Sequence, residues 1–292
     1  MTRIALLIAA NIASDAPNRR ADAHEYEIEL AMLNVACRKL DMVVEPVKWA
    51  DGDISGYAAA LALCAWDYQD QSAAFLARLG DIEASGVPVF NDPRLVRWNI
   101  RKTYLRELAE RGVATIPTLW PEHPDADDLQ EAFETFGADE IVLKRQVGAG
   151  AHSQARYSRA TAPKAGAVLD RPAMIQPLMR AIISEGEYSF LFIDGVFSHA
   201  LVKQAKVGDY RIQAAYGGIS HTVQPSADDL KQARAVLDGL DAPPVYARVD
   251  MVRGVNGRLL LMELEVIEPF LYPEQGPQVC DMLAAALKKR LG

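Results

Sequence analysis

Near the C-terminus two apolar runs, Val245-Tyr-Ala-Arg-Val-Asp-Met-Val252 and Arg258-Leu-Leu-Leu-Met-Glu-Leu-Glu-Val266, flank the dipeptide Asn256-Gly257. Asn-Gly in that setting is the strongest short-range signal of a β-hairpin, because both residues tolerate the positive φ of a tight turn. A two-residue loop there sets Val255 opposite Arg258, and counting outward sets Asp250 opposite Glu263 and Arg248 opposite Glu265. Strand side chains alternate faces, so these four charged groups share one face, while Val249, Met251, Met262 and Leu264 take the other as core. Two carboxylates facing each other across a sheet destabilise it. Either water and Arg248 screen them on an open face, or Asp250, Glu263 and Glu265 hold a divalent cation. Hard cations such as Mg²⁺ take carboxylate oxygens and share their shell with phosphates.

The remainder of the chain is large enough to bury such a hairpin: 292 residues, half of them hydrophobic, are material for one large or two to three small domains. A net charge of -8 argues against non-specific nucleic-acid binding, which needs basic surface. Three scattered cysteines (Cys37, Cys64, Cys280) without CxxC read as small core residues in a reducing, cytoplasmic setting. The run at 4–10 imitates a secretory signal but stops at Asn11 after seven residues, and a buried first strand explains it as well. No run reaches the ~18 apolar residues of a membrane span.

Residues 1–95 alternate strand-like runs (4–10, 42–47, 58–65, 87–90) with helix-like stripes, one through Tyr26, Leu33 and Cys37 and one through Phe75, Leu79 and Ile82. That alternation predicts an open parallel sheet, whose ligands bind beyond the carboxyl ends of its strands. The loops at 11–20 and 66–71 are therefore candidate substrate contacts, with Trp66 and Tyr68 equally readable as edge packing. No GxGxxG follows the first strand, so a dinucleotide site has no support. One helix is expected over 94–111, another around Leu129 and Phe133, then a strand at 140–145 running into Gly148-Ala-Gly-Ala-His-Ser153, and a strand at 173–176. From Gly186 the pattern is antiparallel, with a turn at Asp194-Gly195, a helix at 226–240, the hairpin and a final amphipathic helix.

Lys144 ends an apolar strand, where an unpaired lysine is costly to bury. The following glycines can turn backbone N–H groups toward an anion. The pair suggests phosphate recognition without a Walker A motif, since GxxxxGK[ST] is absent. Lys102 by itself reads more readily as a solvated lysine than as a ligand. Arg211, in a Gly-closed polar stretch, reads either as a bidentate phosphate clamp or as a partner of Asp209. The five histidines make no HExxH, and no GxSxG elbow exists.

Taken in order over 99–269, these features resemble the ATP-grasp ligases of the glutathione synthetase and ribosomal-protein glutamate ligase branch. Glu265 stands where the glutathione-synthetase pattern has asparagine, and Glu263-Leu-Glu-Val-Ile-Glu-Pro269 with Trp66-Asp-Tyr68 is more similar to the ATP-grasp ligases that close the cycloserine ring. The resemblance implies an ATP-grasp fold: an N-terminal parallel-sheet domain at 1–95, a linker helix and small flexible lobe at 96–179, and an antiparallel lobe at 180–292. It implies Lys102, Lys144, Gly148, Gly150 and Ser153 on the phosphates of ATP, and Gln176, Pro177, Leu178 and Met179 as the adenine hinge. It further implies Glu187 on the ribose, and Asp250, Glu263 and Glu265 on Mg²⁺ or Mn²⁺. Arg211 would stabilise the transferring phosphoryl group, Arg248 would organise the metal carboxylates and Glu268 would orient the nucleophile. The implied activity is ADP-forming ligation of an amino-acid-like carboxylate to a nitrogen through an acylphosphate, in a cytoplasmic homodimer without nucleic-acid or membrane partners. A carboxylate kinase of the same fold and a non-catalytic two-lobed binding protein are the alternatives.

Overall fold

The computed structural model describes residues 1–148, 154–205 and 217–292. The first apolar run forms β1 (Thr2–Ile8), followed by α1 (Ala23–Arg38), β2 (Met42–Lys48), β3 (Ala59–Cys64), α2 (Ser72–Ala84) and β4 (Val89–Phe90). These strands make a wholly parallel sheet in the order β2-β1-β3-β4. Its central strands are covered on both faces: Ile4 and Leu6 pack with Tyr26 and Leu33 of α1, Ala5 and Leu7 with Phe75 and Leu79 of α2. That double cover is why β1 and β3 read as continuous apolar runs.

The expected single helix over 94–111 is two, α3 (Pro93–Asn99) and α4 (Tyr104–Glu110). Val96 and Ile100 belong to the core of the parallel sheet, whereas Tyr104, Leu105 and Leu108 belong to that of the C-terminal sheet. The chain breaks between them to serve both cores. Lys102, expected on a helix, therefore stands in the break.

The middle lobe is one helix on a small sheet. α5 (Ala126–Phe136) starts with an Asp125–Asp128 capping box and ends at Gly137 in the left-handed region, φ 58°. It packs Leu129 and Phe133 onto β5 (Glu140–Arg145) and β7 (Ala173–Pro177), with β6 (Ala155–Ser158) on the far side of β5; all pairings are antiparallel.

Next come α6 (Ala181–Ser184), β8 (Glu187–Ile193), β9 (Val196–Gln204), β10 (Ile219–Val223), α7 (Ala227–Asp238), β11 (Tyr246–Arg253), β12 (Leu259–Glu265) and α8 (Gln278–Leu291). The strands form an antiparallel sheet in the order β10-β9-β8-β11-β12. Asp194 and Gly195 both have positive φ, 51° and 75°, as a tight hairpin turn requires. α8 lies against α1, so that Cys280, Leu283 and Leu287 close one core with Leu33 and Cys37.

The β11–β12 hairpin corrects the sequence count in one respect. Gly254 N–H donates to Arg258 O, so the loop has three residues, Val255, Asn256 and Gly257 (φ 79°), instead of two. Arg253 pairs with Leu259 and Met251 with Leu261; a bulge then leaves Met262 unpaired, and Asp250 pairs with Glu263 and Arg248 with Glu265 as counted. The longer loop and the bulge cancel. In consequence Leu261, fully buried, takes the core place expected for Met262, which packs instead beside Ile116, Ile182 and Val252.

Candidate active site

One face of the antiparallel sheet carries a row of charges that crosses four strands. On β9, Lys203 stands opposite Glu187 of β8, and its Nζ lies 2.5 Å from Glu187 Oε1 and 3.3 Å from Asp250 Oδ2. Asp250 of β11 pairs with Ser189 of β8, whose Oγ donates to Oδ1 at 2.5 Å. Arg248 donates from Nε to both oxygens of Asp250 at 3.1 Å, from Nη2 to Oδ2 at 3.0 Å and to Glu265, and from Nη1 to Phe270 O at 3.2 Å. Arg248 thus faces Glu265 as the hairpin count requires and binds Asp250 as well. Lys102 reaches the row from the α3–α4 break, with Nζ 2.8 Å from Glu263 Oε1 and donating to Gly148 O at 2.5 Å.

The charges shape one another. Burial is the largest influence on Asp250, and Arg248 and Lys203 overcome it to hold the carboxyl below its usual range. Burial pushes Glu187 up to about 7 despite Lys203, and Glu265 up to about 8, where Asp250 and Glu263 add to the effect. Glu268, on the loop after β12, is raised by burial and by Glu265 and Glu263. Burial works against the Lys102 ammonium, and Glu263 outweighs it. Lys144 is the exception: it makes no ion pair among the described residues, and burial, helped by Lys102, lowers it.

As they stand, Asp250, Glu263 and Glu265 are each paired with a cation of the chain, and no group of three His, Cys, Asp or Glu among the described residues is arranged to hold a metal. Their chemistry nevertheless fits a hard divalent cation, because the repulsion between neighbouring carboxylate oxygens is relieved when a dication supplies the missing charge. The unpaired ammonium of Lys144 fits a phosphate in the same way.

The hinge sits where the small and large sheets meet. Gln176 and Pro177 are held in the ladder with β5, and Gln176 Nε2 donates to Thr118 Oγ1 at 3.0 Å. Leu178 N–H donates to Glu140 O and Met179 O accepts from Ile182 N–H, so neither group is open to a ligand. Leu178 C=O and Met179 N–H make no hydrogen bond among the described residues. They are the two ends of one trans peptide and point opposite ways, so one of them can face a flat nitrogen ring lying on the apolar side chains of Ile116, Leu178, Val252 and Met262.

Gly148 is described and accepts from Lys102; Gly150, Ser153 and Arg211 lie outside the described residues. The two N-terminal loops are bound to each other: Arg20 Nη1 donates to Trp66 O at 3.0 Å, and Ala10 N–H and Trp49 Nε1 donate to the two oxygens of Asp67. Trp66 and Tyr68 are both buried, Tyr68 against Phe75. Burial raises Tyr68, and the charges of Glu268, Glu263 and Glu265 raise it further, which brings this loop to the carboxylate row.

Lys203 and Ser189 were missed by sequence reasoning. A lysine in the last turn of an apolar strand is the same signal that marks Lys144. However, counting from the Asp194-Gly195 turn puts Val202 opposite Glu187, and only a bulge between Leu191 and Phe192 moves Lys203 there. Ser189 carries no signal of its own.

A family model described as D-cycloserine synthetase DcsG, N-terminal domain, matches residues 4–91. The cycloserine biosynthesis protein DcsG of Streptomyces lavendulae is 30% identical over 287 residues, covering 91% of this chain and 94% of that protein. The crystal structure of D-cycloserine synthetase DcsG superposes with a TM-score of 0.85 at 27% identity, over 99% of this chain and 100% of that one. The ATP-grasp ligase PsnB, complexed with a phosphomimetic variant of its minimal precursor, Mg and ADP, shares the fold at a TM-score of 0.65 and 15% identity, over 99% and 98% of the two chains.

Proposed function

Since the chain belongs to the family of the cycloserine biosynthesis protein DcsG, within the ATP-grasp ligases, we propose that its charged row binds Mg·ATP and activates a small amino-acid-like carboxylate for attack by nitrogen. The protein is an ADP-forming ligase that makes a C–N bond, in keeping with antibiotic biosynthesis. The observation that carries the site assignment is the row itself. It sets Asp250 against Glu263 across the hairpin, within reach of Lys102 and Arg248, and it leaves the Lys144 ammonium without a counter-ion among the described residues.

In this reading the carboxylate attacks the γ-phosphorus of ATP, the β–γ bridge oxygen leaves with ADP, and the acylphosphate then loses phosphate to the nitrogen nucleophile. Such transfer depends on charge neutralisation and alignment more than on covalent catalysis. Lys102 and Lys144 neutralise phosphate oxygens. The hinge from Gln176 to Met179 takes the adenine edge through one end of the Leu178–Met179 peptide, and Glu187 accepts from the ribose hydroxyls. Asp250, Glu263 and Glu265 are the residues that would hold Mg²⁺, which supplies Lewis-acid neutralisation of the phosphates. Arg248 holds Asp250 and Glu265 at a fixed separation. Glu268, raised by burial and by Glu265 and Glu263, orients the nucleophile. Arg211, Gly150 and Ser153 keep their expected roles on the phosphates, and Tyr68 closes the substrate side.

The test is ADP release with Mg²⁺ across pairs of amino-acid-like carboxylates and nitrogen nucleophiles, including substrates that carry both groups. Stoichiometric ADP that requires the nitrogen group is expected, and Glu263→Gln should abolish it while the protein stays folded. ADP formed with a stable phosphorylated product and no need of nitrogen would make the protein a kinase instead.

A further inference from the structure

Every carboxylate expected to hold the metal is occupied by a cation of the chain: Asp250 and Glu265 by Arg248, Glu263 by Lys102, and Asp250 again by Lys203. Lys102 and Arg248 have roles in the proposed reaction; Lys203 has none. It is buried, with a side chain 8% exposed, and it spans the two carboxylates with different tasks, Glu187 for the nucleoside and Asp250 for the metal. A buried ammonium is costly unless its partners satisfy it, so this placement is not incidental to folding. Asp250 is also saturated. Its two oxygens accept five contacts from four donor groups, Ser189 Oγ, Lys203 Nζ, Arg248 Nη2 and Arg248 Nε, the last shared between both oxygens. A carboxylate offers about four lone-pair positions. No direction is left for a cation unless one donor withdraws. Arg248 is fixed by Phe270 O and Glu265 as well, and Ser189 is fixed on the neighbouring strand. Lys203 makes the longest of the five contacts and has a second carboxylate to retreat to.

We infer that Lys203 is a positioning residue that closes Asp250 to a free divalent cation and holds Glu187 ready for the nucleotide, so that metal enters this site only together with nucleotide. The inference rests on the assignment of Asp250 and Glu187 above. A free cation must displace an ammonium from a carboxylate whose charge is already balanced. A cation on a nucleotide arrives with phosphate oxygens that draw the neighbouring ammonium groups toward themselves and leave Asp250 under-compensated.

Two binding measurements on the whole protein test this: Mn²⁺ alone, followed by the electron paramagnetic resonance of the free ion, and ADP alone in chelator, followed by calorimetry. Lys203→Met should bind Mn²⁺ at least about tenfold more tightly than wild type, because a unit charge in contact with a buried carboxylate acts at low effective dielectric. The same variant should bind ADP more weakly, since Glu187 loses the donor that fixes it. Lys203→Arg, which keeps charge and donors, should restore both. A lysine that only supports the fold would weaken both affinities in the Met variant, and that result overturns the inference. So does a wild type that binds Mn²⁺ as tightly without ADP as with it. If Lys203→Met does not fold, Lys203→Gln, which keeps a donor but removes the charge, carries the same expectation for Mn²⁺. A wild type that binds neither ADP nor Mn²⁺ with ADP overturns the site assignment itself, and that outcome is read from the wild type alone.

Discussion

Lys144 illustrates how much a single residue can carry. Its strand position marks it in the sequence, and the structure adds that no described residue neutralises it. An unpaired, partly buried ammonium destabilises the nucleotide-free protein and is relieved by phosphate. Lys144→Met should therefore leave the nucleotide-free melting temperature unchanged or higher while weakening ADP at least about tenfold; a lower melting temperature with normal ADP binding would remove the lysine from the site. Glu265 gives a pH signature. Burial and its acidic neighbours raise it from an ordinary 4.5 to about 8, and Glu187 reaches about 7. The folded protein thus keeps protons that the unfolded chain has released. The stabilisation is complete below pH 4.5 and is lost as pH rises through 7 and 8. His199, lowered by burial to about 4, acts oppositely, but its stabilisation is complete above 6.5. Between pH 6.5 and 8 the nucleotide-free melting temperature should accordingly fall, and Glu265→Gln should flatten that slope in thermal scans. A slope unchanged by the substitution would show that Glu265 is already ionised at neutral pH.

At the scale of elements, the site depends on how its edges are tied. β12 is the edge strand of its sheet, and α4 covers it with Tyr104. The Tyr104 hydroxyl donates to Leu264 O at 3.1 Å and accepts from Leu264 N–H at 2.8 Å, between Glu263 and Glu265. Asn99, at the end of α3, donates to the same carbonyl at 2.8 Å. The side chains thus stand in for a missing strand beside the backbone of Glu263 and Glu265, and they anchor the break that presents Lys102. Tyr104→Phe leaves the buried Leu264 N–H without a partner, an expected loss of about 2 kcal/mol in denaturant unfolding. Mg²⁺ dependence of activity should shift with it, since the edge that carries Glu263 and Glu265 loosens. A stable variant with unaltered Mg²⁺ dependence would show that the edge is held by packing alone. The helix break and the β-bulge share a cause: an element that must serve two cores or two registers departs from its regular period. Periodicity in the sequence predicts the regular form and cannot show the departure, because the second core is distant in the chain.

For the whole molecule, Asn91 is the joint. It follows β4 with φ 36°, donates through Nδ2 to Tyr246 O and Val266 O at 2.8 Å, and accepts from Val245 N–H at 2.7 Å. One side chain thus fastens the parallel sheet to both strands of the hairpin. Asn91→Ala strands three buried backbone groups and should cost roughly 3–5 kcal/mol, with the two sheets losing cooperativity in thermal unfolding; a single unshifted transition would contradict it. No helix among the described residues is long and apolar enough to cross a membrane. The sequence by itself determined the parallel and antiparallel sheets, the face shared by Arg248, Asp250, Glu263 and Glu265, and Lys144 as a phosphate candidate, because apolar period, turn residues and charge in apolar strands are local signals; Lys102 entered through the family resemblance. Only the tertiary structure decided the three-residue loop and compensating bulge, the break at Lys102, and the joint at Asn91. It alone brought Lys203 between Glu187 and Asp250. These depend on which distant segment a side chain meets, and burial among such segments, not residue type, sets where a charge is paired, displaced or left for a ligand.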